Sequence, residues 1–234
     1  MKNILDYFFK KLDESIQKKN LEILKKNIGS KIDTYIDIGA HQGEMINILR
    51  KNFSVKKIYA FEPNKDCHLY LKKKRISKLF LYALSDKNGV GRFKLGHLSS
   101  MSTLTSINNK AIYSKIKKLI IKIFYNQNNI YKKTINVNKK RFDCITELKK
   151  LKKIDLVKID TEGHEFNVIK GFGRYLKKIH LLLFEHHYDN SLIKNYNYSN
   201  VNKYLFKNNF KLISKNKMKF RKGYELIYKN IDNV

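Results

Sequence analysis

The sequence predicts an α/β domain built on a doubly wound, mostly parallel sheet. Three observations carry that expectation. Short apolar runs alternate with helically periodic segments along the chain, as successive βαβ units require. The 234 residues suit one such domain, and 42 % hydrophobic side chains supply a core for it. The residues with unusual chemistry fall just beyond the apolar runs, where open α/β sheets keep their ligands.

Residues 2–28 repeat Leu5, Phe8, Phe9, Leu12, Ile16, Leu21, Leu24 and Ile28 at helical spacing, and Gly29 suits a helix C-terminus. Residues 1–30 are thus expected as an amphipathic helix packed on a domain formed by 31–234. A strand over 35–38 closes at Gly39 and gives way to a helix over 43–52. A second strand, 57–61, closes at Glu62-Pro63 before a helix over 64–73. The pattern continues with a strand over 79–84, a strand or hairpin over 90–95, a strand over 134–138 and a helix over 141–150. Strands at 154–159 and 179–185 alternate with helices at 164–170 and 199–208. Two last runs, 210–214 and 224–228, are close enough in sequence to pair antiparallel. No repeat and no Gly/Pro/Ser-rich linker divides the chain.

The charge is lopsided, with 50 Lys and Arg against 20 Asp and Glu, a net +30. The lysines are scattered, and the chain is rich in Asn, Ile, Tyr and Phe with one Pro and no Trp. That skew fits compositional drift better than selection for one anionic partner, and it bears on partners and solubility rather than fold. Cys67 and Cys144 are too few for a disulfide framework and lack metal-ligand spacing, so buried or half-buried thiols are expected. Charge interrupts the N-terminal apolar residues too early for a signal peptide, and no run reaches the ~18–20 apolar residues that span a bilayer. A cytoplasmic protein is expected.

The first strand ends in Asp37-Ile38-Gly39-Ala40-His41-Gln42-Gly43. Gly39 and Gly43 permit a tight turn and close approach of a ligand, and the following helix offers free N–H groups. Glu62, about 20 residues beyond, stands where an acid accepts hydrogen bonds from two ribose hydroxyls. The GxGxxG and GxxxxGK[ST] phosphate cradles are absent, which favours an adenosine ligand without phosphates, and S-adenosylmethionine fits. Ser85, Asp86 and Gly89 form a polar turn after the third strand. The fourth strand ends in Asp160-Thr161-Glu162-Gly163-His164-Glu165, a concentration of acids in an acid-poor chain.

With these segments in view, the chain resembles the FkbM-type family of S-adenosylmethionine-dependent O-methyltransferases. The resemblance runs from about residue 33 to 186 and rests on 37–43, 60–64, 83–86 with Gly89, 102–104 and 156–165 with Ile169 and Gly171. It implies a Rossmann-like sheet of seven strands whose last strand is antiparallel. It implies that Asp37, Gly39, Ala40, His41, Gly43, Glu62, Ser85 and Asp86 serve the cofactor, and it puts Asp160, Glu162 and Glu165 in the family signature. Family acceptors are hydroxyls of sugars, lipid-linked glycans and polyketides.

Transfer to a hydroxyl needs an in-line acceptor and a group to take its proton. Asp160 and Glu162 are the first candidates for that base and His164 a lesser one, with Glu185, His186 and His187 also near by sequence. Asp160, Glu162 and Glu185 carry the oxygen ligands a divalent cation takes, but no metal is expected. The expected acceptor is a sugar, a glycan or another small or lipid-linked molecule. The alternatives are an RNA methyltransferase, or a catalytically silent protein that binds S-adenosylmethionine or nucleic acid. Against RNA, no RNP-like motif or separate RNA-binding module appears, so no obligate nucleic-acid partner is expected.

Residues 107–133 look inserted relative to the family pattern. Ile112, Ile116, Leu119, Ile120 and Ile123 share one helical side, with Lys110, Lys115, Lys117, Lys118 and Lys122 around it. Three readings fit: a helix packed on the domain with a solvated basic face, a lid, or a helix on an anionic membrane surface, which would place the protein at the inner membrane face.

Overall fold

Strand order in the central sheet reverses beside its first strand, and that reversal positions everything else. The computed structural model describes residues 2–219 and 221–232, with side chains described from Glu14 onward. The strands are β1 (Lys31–Ile38), β2 (Ser54–Phe61), β3 (Lys78–Phe80), β4 (Ile154–Ile159), β5 (Ile179–His187), β6 (Phe210–Lys217) and β7 (Gly223–Asn230). They lie in the order β6-β7-β5-β4-β1-β2-β3. Neighbours run parallel except β7, which is antiparallel to both β5 and β6. The chain builds outward from β1 to β3, then returns to lay β4 on the other side of β1. A crevice therefore opens beyond the carboxyl ends of β1 and β4, the switch point of the sheet.

Alternation along the strands splits the core in two. Ile36, Ile38, Val157, Ile159, Leu182 and Phe184 face one layer, built with Val168 and Ile169 of α5 (Glu165–Gly171) and Leu205 of α6 (Tyr198–Lys207). Tyr35, Ile58, Leu156, Leu181 and Leu183 face the other. Leu24 of α1 (Lys2–Ile28), Ile46 and Leu49 of α2 (Glu44–Asn52) and Leu71 of α3 (Lys65–Lys72) close that layer. The side chains of Leu5, Phe8, Phe9 and Leu12 lie outside the described residues.

Between β3 and β4 the chain builds a second, three-stranded sheet from Ala83–Leu84, Gly89–Gly96 and Tyr131–Lys140, with Phe93, Leu95 and Val137 as its own small core. This corrects the single strand expected over 79–84. Main-sheet pairing stops at Phe80, Leu81 is half exposed, and Ala83–Leu84 pair instead with Lys139 and Lys140. The helix expected over 141–150 is two 3-10 turns, Phe142–Cys144 and Thr146–Leu148. Its buried residues Phe142, Ile145 and Leu148 recur every third position, which matches three residues per turn rather than 3.6. Cys67 is buried as expected, whereas Cys144 is exposed.

Residues 97–130 return toward the crevice. A turn at Ser99–Met101 leads to Ser106–Ile107, which pairs antiparallel with Leu192–Ile193, and then to α4 (Ile112–Tyr125). Here the packed reading with a basic solvent face is corrected. Ile112, Ile116, Leu119 and Ile123 are exposed, while Ser114, Lys117 and Ile121 are buried.

The polar turn after Leu84 is fixed from below. A Cβ built on Gly171 of α5 would lie 2.1 Å from the Ser85 carbonyl oxygen, so only glycine lets that backbone rest on the helix. Gly171→Ala should therefore destabilise the fold by about 1–3 kcal/mol through overpacking. Thermal melts check this, and a variant that melts with the wild type would show that the Ser85 turn shifts freely.

Candidate active site

The crevice holds a cavity of about 530 Å³, within the range of small-ligand sites. Its first end is the β1–α2 turn. Gly39 has φ +73°, and a Cβ there would stand 1.9 Å from the Asp160 carbonyl oxygen. Glycine at 39 is thus demanded by the contact between the tips of β1 and β4. Glu62, at the tip of β2, is buried and lines the cavity. Its Oε2 accepts the His41 amide at 2.8 Å and its Oε1 the Asn64 amide at 2.8 Å. Each oxygen keeps a further lone pair for a ligand. Burial raises the Glu62 carboxyl, against the pull of those two amides. His41 Nδ1 sits 3.0 Å from Glu44 Oε1 and its Nε2 2.7 Å from Ser99 Oγ, tying the Ser99–Met101 turn to this end. Phe61, Tyr82 and Leu84 add an apolar wall.

The other end is organised by a buried carboxylate. Glu165 Oε1 accepts the amides of Thr161 (3.2 Å) and Gly163 (2.8 Å) and the Thr161 hydroxyl (3.1 Å). Its Oε2 accepts the Tyr196 hydroxyl at 3.0 Å. Within the loop so held, Glu162 adopts φ +51° and Gly163 φ +95°. The Glu162 carbonyl is capped by Thr103 Oγ1 at 2.7 Å.

The Glu162 side chain enters a buried ion cluster. Its Oε2 lies 3.8 Å from Lys117 Nζ and 3.5 Å from His187 Nε2. His187 Nε2 is 3.3 Å from Glu185 Oε1, and Arg221 Nη1 is 3.2 Å from Glu185 Oε2. Burial opposes the charge on Glu162, but Lys117 and His187 outweigh it and hold the carboxyl well below the usual range. Burial opposes the charge on His187 too, yet Glu185 and Glu162 push the imidazole up to about 9. Burial raises Glu185, against His187 and Arg221. Three cations thus face two carboxylates, leaving the end one charge positive. Asp160 stands apart at the β4 tip, lining the cavity with Lys158 Nζ at 3.2 Å.

The sequence matches the Methyltransferase FkbM domain over residues 37–212, three quarters of the chain. The chain belongs to the FkbM methyltransferase domain family. Solved structures agree at the level of fold. An FkbM methyltransferase from Methylobacillus flagellatus KT matches at TM-score 0.52 and 12 % identity, over 85 % of this chain and 43 % of that one. The chain therefore spans less than half that protein's length. Weaker likenesses include magnesium protoporphyrin IX methyltransferase of Synechocystis PCC 6803 (TM-score 0.47, 10 % identity, 93 % of this chain and 78 % of that one). Another is TrmK of M. capricolum (TM-score 0.44, 13 % identity, 91 % and 68 %). No curated protein matches the chain.

Of the residues that sequence singled out, this FkbM domain brings Gly39, Ala40, His41, Glu62, Asp160, Glu162 and His164 to the cavity. Asp37, Gly43, Ser85 and Asp86 stand behind its wall. Asp37 is fully buried 3.8 Å from Lys158, and burial raises its carboxyl to about 6. Gly43 starts α2 with φ +78°. Ser85 Oγ meets His164 Nε2 at 3.0 Å, and Asp86 pairs with Lys170 at 3.1 Å, so both fasten the turn to α5. His164, 3.3 Å from Asn167 at Nδ1, is lowered by burial to about 4 and stays neutral.

Strand alternation turns Glu185 and His187 toward the cavity and His186 toward Tyr196 and Tyr198 on the other side. Lys117 and Arg221 escaped the sequence reading. Lys117 had one signal, since it sits opposite the Ile112–Ile116 side of its helix. Among the described residues no three His, Cys, Asp or Glu side chains are grouped to hold a metal.

The cluster sets a pH dependence. His187 is raised above its ordinary 6.5, so its contribution to stability is complete below about 6.5 and lost as pH rises through about 9. Urea unfolding between pH 6 and 9.5 should show a decline of order 1–3 kcal/mol that His187→Gln removes. Parallel profiles for the two proteins would place the imidazolium elsewhere.

Proposed function

We propose that the protein is an S-adenosylmethionine-dependent O-methyltransferase acting on a hydroxyl of a sugar, a glycan or another small or lipid-linked acceptor. The observation that carries this reading is the division of one cavity into two chemically distinct ends that meet at Asp160. The first end fits the donor. Glu62 offers two lone pairs to a ribose, and Phe61, Tyr82 and Leu84 offer an apolar face to a purine. When bound, S-adenosylmethionine supplies a methyl group already activated on a sulfonium.

The chain's own residues then have three tasks. Asp160 takes the proton from the acceptor hydroxyl, because its carboxylate lines the cavity and stands outside the Glu162–Glu185 ion cluster, paired with Lys158 at 3.2 Å. The surplus positive charge of Lys117, His187 and Arg221 favours negative charge growing on the acceptor oxygen. Glu162 positions Lys117 and His187. Its strongly acidic carboxyl makes it a poor proton acceptor.

Glu62→Ala should weaken S-adenosylmethionine binding by about 1–3 kcal/mol in calorimetric titration. Equal affinities in variant and wild type would remove the ribose contact. For the acceptor end, labelled donor is offered with a panel of hydroxyl-bearing glycans and with RNA. Label on the glycans supports the reading, and label on RNA alone replaces it. With the accepted substrate, Asp160→Asn should lower kcat by about 10²–10⁴ at unchanged donor affinity. Undiminished turnover would take the base role from Asp160.

A further inference from the structure

We infer that the outer face of α4 docks on an anionic lipid bilayer. An ordinary packed helix turns its apolar side inward. In α4, Ile112, Ile116, Leu119 and Ile123 are 78, 44, 58 and 61 % exposed, while Ser114 and Lys117 are buried on the opposite side. At 100° per residue the four apolar side chains fall within an arc of about 60°. They form an aliphatic ridge along the helix, bordered along one side by the exposed Lys115 and Lys122. The ridge is held in place from behind. The Asn108 amide donates to the Ser191 carbonyl at 2.8 Å, and Lys117 pairs with Glu162.

Charge selects the occupant. From Lys87 to Phe142 the sequence has no Asp or Glu and thirteen Lys and Arg, although the chain carries 20 acids in all. General drift toward lysine does not clear acids from one segment. A second copy of a chain with net charge +30 is repelled by such a face. Nucleic acid matches the lysines but stacks on aromatic platforms rather than covering an aliphatic ridge. A bilayer with acidic headgroups meets both demands, taking the ridge into the acyl boundary and the lysines to the phosphates. Other exposed apolar side chains, such as Leu69 beside Tyr70 on α3 and Phe206 on α6, form no aliphatic row along a helix and are ordinary surface residues.

The inference is independent of the proposed reaction, because docking needs neither donor nor acceptor. Its test is sedimentation of the full chain with vesicles of equal parts phosphatidylglycerol and phosphatidylcholine, and with phosphatidylcholine alone. Wild type should bind the mixed vesicles in a salt-sensitive manner and the neutral ones at least tenfold more weakly. Ile116→Ser/Leu119→Ser removes ridge area without adding charge and should weaken binding to mixed vesicles about tenfold, with circular dichroism confirming the fold. Leu69→Ser/Phe206→Ser, which removes comparable area elsewhere, should bind as wild type does. Undiminished binding by the ridge variant would overturn the inference and leave only unspecific attraction of a basic protein. So would equal losses in the two variants. A wild-type dimer that the ridge variant dissolves, seen by light scattering, would overturn it in favour of a second copy.

Discussion

The carboxylate of Glu165 holds the Glu162 end of the cavity together. One side chain takes four hydrogen bonds, from two amides and a hydroxyl of the loop before it and from Tyr196 after it. The loop it gathers contains a non-glycine residue in the left-handed region, Glu162, a conformation that persists only where surroundings impose it. Without that grip Glu162 has no reason to point at Lys117 and His187, and the ion cluster loses its centre. The fold supplies the place, at the switch point of the sheet. Glu165 supplies the shape.

Electrostatics divides the molecule into an acid-poor exterior and an acid-rich crevice. Six of the twenty Asp and Glu side chains, among them Glu62, Asp160, Glu162 and Glu185, line a single cavity. Buried carboxylates are tolerable there because each key one is met by a cation or by backbone amides. Lys158 bridges Asp37 and Asp160, Arg221 and His187 meet Glu185, and amides meet Glu62. The lysine-rich composition, read from sequence as drift, thus has particular members with fixed internal partners.

Much of this was legible in the sequence. Apolar periodicity located all seven strands of the main sheet, and the short gap before the last one announced its antiparallel sense. The motifs after β1, β2 and β4 led to the crevice. What stayed hidden depends on long-range contacts. Phe80 and Ala83 belong to different sheets although one apolar run covers both, because Phe80 pairs back to Phe61 whereas Ala83 pairs forward to Lys139, 56 residues on. Ser85 and Asp86 fasten a turn to α5, a contact that nothing local reveals, because Gly171 beneath them comes 85 residues after Asp86. Lys117 looked like one solvated lysine among many. Contacts distant in sequence, the pairing of Ser106–Ile107 with Leu192–Ile193 and the ion pair with Glu162, accompany the burial of that side of α4.

The clamping of Glu62 has an entropic side. A free glutamate samples several rotamers, and fixing them when a ligand arrives subtracts from affinity. In this chain the two amides from His41 and Asn64 immobilise the carboxylate as the domain folds. The rotor is frozen in advance, so the ordering cost of that carboxylate falls on folding rather than on any later contact with its free lone pairs.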